Sequence, residues 1–278
     1  RLVVLNAKDA AMLGAKIHVN TKVISANRKN GLWRVETKNL ATNEREVFLS
    51  KVLINAGGPW VSDLLLNVLR VNSSKKVRLV RGSHIVVSKM WSHEKGYFFQ
   101  GKDGRIIFAI PYETDFTLIG TTEIDHLDLN EKPKCTELEK NYLINFANQY
   151  FDPELKVEDI VWTYSGLRPL QGIYEDNATA VTRDYSIKVN QEDGVPLINV
   201  FGGKITTYRK LAESVMDEVG LFLPKIRGPW TDNAHLPGGD FSVDGSPQLI
   251  SDLLTAFPFL NAKWAVRLVK AYGTEAFE

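Results

Sequence analysis

Apolar positions along this chain follow two periods. Residues 195–200, apolar but for Asn199, form a short run opened by Asp193-Gly194, which predicts a buried strand. After Gly202-Gly203, the residues Ile205, Tyr208, Leu211, Ala212, Val215 and Val219 recur at helical spacing. The chain there runs strand, glycine pair, helix. Residues 51–60 repeat the order, with Gly57-Gly58 as the glycine pair and Pro59 opening a helix predicted to reach about Leu69. Glycines let backbone approach a ligand closely. The unpaired N–H groups of a first helical turn, with the positive end of the helix dipole behind them, favour an anionic or electron-rich ligand. Lys204 adds a full charge. The alternative is a plain strand–helix turn with a solvated lysine. A P-loop is excluded, because its outlying glycine and its Ser/Thr would fall at Ile198 and Ile205.

The rest of the chain mixes both periods. Leu2, Leu5, Ala10 and Leu13 suit one face of a helix closed at Gly14, and residues 15–19 read as a short strand. Residues 23–28 and 32–38 read as a hairpin around Asn30-Gly31, with Trp33, Val35 and Thr37 on one face. A turn at 41–44 leads to a strand at 47–49. From 76 to 119 the pattern is β, with His84 and Val86 on one face and Ile85 and Val87 on the other. Residues 125–134 form a polar loop. Thr136 is expected to cap a helix running to about Tyr150, with Leu138, Tyr142, Leu143 and Phe146 towards the core. Residues 161–170 read as a strand turning into a loop, Arg168 following a tight Ser165-Gly166 turn. Further β structure is expected at 178–183 and 185–189, a linker at 236–240, and helices at 246–257 and 261–272. This is a mixed α/β (α+β) layout with a central antiparallel block.

The totals narrow the options. A chain of 278 residues holds one large or two smaller domains. A formal charge of +1 implies no nucleic-acid or other polyanionic partner. The single cysteine, Cys135, forbids an internal disulfide, suits a reducing compartment and reads as a free thiol. No apolar run approaches the roughly 20 residues that span a bilayer. The five histidines show no ligand spacing, so no metal is assigned. Trp33 and Trp162 are expected in the core. The start at Arg1 and the uncapped stretch 272–278 suggest a piece of a longer protein, cut at both ends.

Six segments taken in order carry a resemblance: 54–60 (INAGGPW), 81–87 (RGSHIVV), 119–123 (IGTTE), 162–170 (WTYSGLRPL), 182–185 (TRDY) and 201–209 (FGGKITTYR). Together they resemble the FAD-dependent sn-glycerol-3-phosphate dehydrogenases of the aerobic, quinone-linked type, over nearly the whole chain. The helical stretch after Leu236 resembles the start of that family's C-terminal cap domain. The resemblance implies a partial FAD-binding doubly wound domain at 1–75, an antiparallel substrate domain at 76–190, a return to the FAD domain at 191–230 and the start of a helical cap at 231–278. One departure is large. The family opens with a Gly-x-Gly-x-x-Gly unit that holds the FAD pyrophosphate, and this sequence contains none. This piece alone is therefore expected to be inactive.

The resemblance also implies roles. The reaction removes a proton from the C2 hydroxyl of glycerol 3-phosphate while a hydride leaves for FAD. His84 would take the proton, its ordinary pKa lying near neutral. Arg168 would pin the oxygen. Arg183 and Lys204 would bind the phosphate, for which a guanidinium fork is suited. A salt bridge with Asp184 competes for Arg183. Val23, Ala56, Gly57, Gly203, Lys204, Thr206 and Thr207 would contact FAD, the two threonines alternatively capping the helix. A quinone acceptor, peripheral membrane contact on the cytoplasmic side and a homodimer, left open, complete the implied partners. A related amine or amino-acid oxidase, or a binding module without flavin, stand as alternatives. Four basic groups favour phosphate over a lone carboxylate.

Overall fold

The computed structural model describes residues 1–71, 77–101, 104–152, 154–171, 184–192, 194–224 and 227–278. In chain order the elements are α1 (Leu2–Met12), β1 (Thr21–Lys29), β2 (Leu32–Asn39), β3 (Arg45–Ser50) and β4 (Leu53–Asn55). A short helical run follows: a 3-10 turn at Gly58–Trp60, α2 (Val61–Asp63) and a π-helical turn at Leu64–Val68. Then come β5 (Val77–Ser88), β6 (Tyr97–Gln100), β7 (Ile106–Tyr112), β8 (Phe116–Gly120), β9 (Ile124–Asp125), α3 (Glu137–Ala147) and β10 (Ile160–Gln171). The last elements are β11 (Ser186–Glu192), β12 (Val195–Phe201), α4 (Tyr208–Gly220), α5 (Ser246–Ala256) and α6 (Ala262–Tyr272).

The chain divides into two compact units. One comprises residues 1–22, 38–44 and 225–278. Its core is the α5–α6 pair, built on Leu253, Ala265 and Val269. Arg1 Nη1 donates to the Lys270 carbonyl at 2.8 Å, tying α1 to α6. Residues 236–240 are packed rather than loose: a Cβ at Gly238 would lie 2.0 Å from the Tyr272 carbonyl oxygen.

The other unit, residues 23–37 and 45–224, carries every candidate site residue that the structure describes. It contains two sheets that matter for the site. The smaller has the order β11-β12-β4, with β12 and β4 parallel, Leu197 to Asn199 pairing with Leu53 to Asn55. All of β12 is buried, as its largely apolar run predicts, and its one polar side chain, Asn199, is buried with the rest. Its core joins Leu197 and Phe201 to Trp33, Val61 and Leu65. The larger sheet is antiparallel, in the order β10-β5-β8-β7-β6, with β9 added on β5. One face packs on α3: Ile85, Val87, Ile107, Ala109 and Ile119 meet Leu143 and Phe146. Thr136 caps α3 as expected, and Glu139, not singled out in the sequence, completes a capping box with it.

Several expectations need correction. Residues 15–19 are not a strand; Ile17 and Val19 are exposed. Leu138 points to solvent at 83% exposure, and the buried first-turn residue is Glu139. Residues 160–171 form one continuous strand, so Arg168 does not follow a turn. Pro169 is tolerated because, among the described residues, β10 is the edge of its sheet. Trp33 is core at 1% exposure, but Trp162 is 53% exposed. Residues 178–183 lie outside the described residues.

Candidate active site

Strand alternation decides which side chains meet. In the register, His84 of β5 lies between Tyr164 of β10 and Gly120 of β8, with Phe108 of β7 beyond Gly120. These residues share the face that α3 does not cover. Trp162 and Phe108 stand exposed on it. The His84 ring stacks on Tyr164 with centroids 4.8 Å apart and planes 6° from parallel. On its other side a Cβ at Gly120 would lie 2.2 Å from His84 Cδ2, so only glycine leaves room for the imidazole. Arg168 uses the same device. A Cβ at Gly82 would lie 2.2 Å from its Nη1, so the guanidinium lies over bare backbone. Arg168 Nη2 donates to Thr121 Oγ1 at 3.0 Å, and Nη1 to the Thr122 carbonyl at 3.4 Å.

His84 is thereby tuned. Burial and the neighbouring Arg168 charge push its imidazole down to about 4. The ring is neutral at neutral pH, with a lone pair free to take a proton. Among the described residues its buried Nδ1 has no hydrogen-bond partner. Burial, with Tyr112 close by, raises the Tyr164 phenol, so it too is neutral.

A second group of candidate residues sits at the ends of the two parallel strands. β4 runs into Ala56-Gly57-Gly58 and β12 into Gly202-Gly203, where Gly202 (φ 69°) and Gly203 (φ 106°) take the left-handed conformation. Asn55 and Asn199, adjacent in register and both buried, fix the first turn. Asn55 Nδ2 donates to Asn199 Oδ1 and to the Val61 carbonyl, both at 3.1 Å, and Asn55 Oδ1 accepts from Gly57 N at 3.3 Å. Ala56, Gly203, Lys204 and Thr206 are exposed. Lys204 faces Asp184 at 3.6 Å, both well exposed. Thr207 makes no side-chain cap for α4; its Oγ1 donates back to the Lys204 carbonyl at 3.1 Å. Val23 packs its side chain on the Trp33 core. Arg183 lies outside the described residues. The structure therefore brings together His84 and Arg168 on one sheet, and Ala56, Gly57, Gly203 and Lys204 at neighbouring strand ends of another.

Sequence reasoning missed Tyr164, Thr121 and the Asn55–Asn199 pair. The asparagines had a signal: each is the lone polar residue of an apolar strand that runs into a glycine turn, Asn55 two residues and Asn199 three residues before the first glycine. Among the described residues no group of three or more His, Cys, Asp or Glu side chains gathers as a metal site. Among them also, no helix is long and apolar enough to cross a membrane.

Open glycine turns at the carboxyl ends of parallel strands are where doubly wound sheets take a dinucleotide, and these residues fit FAD. A mixed sheet of this kind, beside an antiparallel sheet bearing a neutral histidine and an arginine, defines a flavin-dependent oxidoreductase scaffold. The comparisons agree. The family model for FAD-dependent oxidoreductases matches residues 1–209, and the chain belongs to that family. It is 43% identical to D-erythritol 1-phosphate dehydrogenase of Brucella abortus over 273 residues, 98% of this chain and 54% of that protein. It is 38% identical to aerobic glycerol-3-phosphate dehydrogenase of Escherichia coli over 277 residues, 99% of this chain and 55% of that protein. The structure of glycerol-3-phosphate dehydrogenase from Bacillus halodurans, complexed with FAD, superposes with a TM-score of 0.86 at 29% identity, covering 99% of this chain and 54% of that one. The chain spans about half the length of the curated relatives it matches.

Proposed function

We propose that the protein containing this chain oxidises the secondary hydroxyl of a small polyol phosphate, glycerol 3-phosphate first, to the ketone. The observation that carries this reading is the pair His84 and Arg168 on one open sheet face. FAD, when bound, supplies the acceptor for the hydride. His84 takes the hydroxyl proton at an imidazole nitrogen, which its neutral state permits. Arg168, pinned by Thr121 and Thr122, holds the oxygen as it gains negative charge. A phosphate dianion entering near the imidazole raises its basicity, offsetting the cost of burial. Lys204 and Arg183 are assigned to that phosphate, with Lys204 also neutralising charge at the cofactor. Val23, through its backbone, and Ala56, Gly57, Gly203, Thr206 and Thr207 are assigned to holding FAD. A quinone as final acceptor and peripheral contact with the cytoplasmic face of a membrane follow from the resemblance. The several basic groups weigh against an amine or amino-acid substrate.

A second reading keeps the chemistry and lengthens the substrate. The relative at 43% identity is named for D-erythritol 1-phosphate. Steady-state kinetics of the native protein, loaded with FAD, decide between them. Glycerol 3-phosphate should exceed glycerol in kcat/KM by at least about 10³-fold, because a site that pairs a dianion is left with unpaired charges when the phosphate is absent. Equal values for the two would end the proposal. A higher value for D-erythritol 1-phosphate would select the second reading.

A further inference from the structure

On the α3 side of the antiparallel sheet, directly behind the site, three segments meet one carboxylate. The Glu139 side chain is 4% exposed. Its Oε1 accepts from Ser83 Oγ and from Thr122 Oγ1, each at 2.7 Å. Its Oε2 accepts from Thr136 N at 2.9 Å, Thr136 Oγ1 at 2.8 Å and Arg81 Nη2 at 3.0 Å. A capping box needs only the Thr136 contacts. The others lead to the neighbours of the reacting pair. Ser83 precedes His84, and its Oγ bonds Ser165 Oγ of β10 at 2.7 Å. Thr122 supplies the carbonyl, and its neighbour Thr121 the hydroxyl, that hold Arg168. Ser83 N also donates to Thr122 Oγ1 at 2.9 Å, so that hydroxyl can only point at Glu139.

We propose that Glu139 is a positioning residue of the site, locking Thr122, and through it the Arg168 guanidinium, beside the His84 ring. An ionised carboxylate accepts and never donates, so it fixes the direction of every hydrogen that reaches it. Its bonds are charge-assisted and shielded from water, hence strong. Burial pushes the Glu139 carboxyl up, but the hydrogen bonds from Thr136, Thr122 and Ser83 together outweigh it and hold the group ionised. The inference rests on the reading of His84 and Arg168 as the reacting pair.

The test is Glu139→Gln, which keeps the shape but offers one acceptor oxygen instead of two. The first readout is the His84 imidazole titration, followed by NMR on the chain itself. Arg168 is the charged group that bears on this titration and Tyr164 is the titratable ring stacked on His84, both on β10; Arg81, Cys135 and Lys140 lie around Glu139. Removing a nearby negative charge can by itself only lower the His84 midpoint. Releasing Arg168 must raise it from about 4. We expect a rise of roughly one pH unit. An unchanged or lowered midpoint overturns the inference. If the glutamine variant does not fold, Thr122→Val should give the same rise and Thr122→Ser, which keeps the hydroxyl, should not; equal behaviour of the two overturns it as well. In the FAD-loaded native protein, Glu139→Gln should lower kcat by roughly 10–10²-fold with KM little changed. If the wild type oxidises no polyol phosphate, the reaction assigned above falls while the titration still decides the role of Glu139. If it does oxidise one and the midpoint does not rise, the inference alone falls.

Discussion

Lowering the pH from neutral towards 4 should remove stability at His84, and replacing His84 by phenylalanine should remove that share of the pH dependence. The folded chain holds the imidazole down at about 4, by burial first and Arg168 second, against 6.5 for the free group. Between those two values the unfolded chain binds the proton and the folded chain does not. Stability therefore falls as pH falls through this window, and the contribution is fully present above the unfolded value. Each pH unit that separates the folded from the unfolded midpoint corresponds to about 1.4 kcal/mol. The ring is partly open to solvent, so the full product must be discounted for screening, leaving about 1–2 kcal/mol. Phenylalanine keeps a ring to stack on Tyr164 and to lie over Gly120, but it cannot titrate. Urea denaturation of both chains at a series of pH values measures the difference. Carboxylates titrate alike in the two and cancel. The wild-type curve should drop by about 1–2 kcal/mol more than the variant's across the window. Parallel curves would show that the imidazole is not held neutral by the fold, and the argument for His84 as a base ready at neutral pH would go with them.

Three further outcomes are expected. Gly120→Ala sets a methyl 2.2 Å from His84 Cδ2 while Tyr164 blocks retreat on the other side, so urea melts should show a loss of about 1–3 kcal/mol; wild-type stability with unmoved His84 resonances would contradict the packing. Thr136→Ala removes the α3 cap and one donor to the buried Glu139, and should cost about 1–2 kcal/mol by the same assay, with a value near zero counting against the capping box. The chain expressed as residues 1–278 should purify colourless and bind FAD weakly, since it contains no Gly-x-Gly-x-x-Gly; a stoichiometric flavin spectrum would refute this.

How much of the site was legible depended on whether the signal was local. The facing of His84 was: strand alternation in 84–87 separates it from Ile85 and Val87, and the structure keeps that separation. The two strand–glycine–helix units were legible for the same reason, since an apolar run and a glycine pair are read within ten residues. Arg168 was not. Ser165-Gly166 and Pro169 carry turn chemistry, and the expectation of a loop followed it. Pairing with β5 overrides that preference across the whole of β10. The glycines turn out to serve the ladder instead: Gly166 lies opposite Gly82, and the bare Gly82 backbone is what the Arg168 guanidinium covers. Trp162 fails for a different reason. It was expected on a strand and lies on one, but it shares the open face with Tyr164 and stands 53% exposed.

Glu139 marks the boundary between the two kinds of information. The Thr136-x-x-Glu139 signature announces a helix start, and the helix starts there. Nothing in that spacing says that the same carboxylate will be buried, because a capping glutamate usually ends in solvent. Burial comes from the sheet beneath, which brings Ser83 and Thr122 to it from 56 and 17 residues away. The phase of α3 then turns so that Glu139 faces inward, and Leu138, beside it, must face out. The misplaced leucine and the unforeseen polar network are thus one event. A periodicity reading prefers to bury the leucine at a gain of roughly 1.5–3 kcal/mol. Five hydrogen bonds to a shielded carboxylate, at about 1.5–3 kcal/mol each when charged, outweigh that gain even after desolvation, and they set the face of the helix that meets the site.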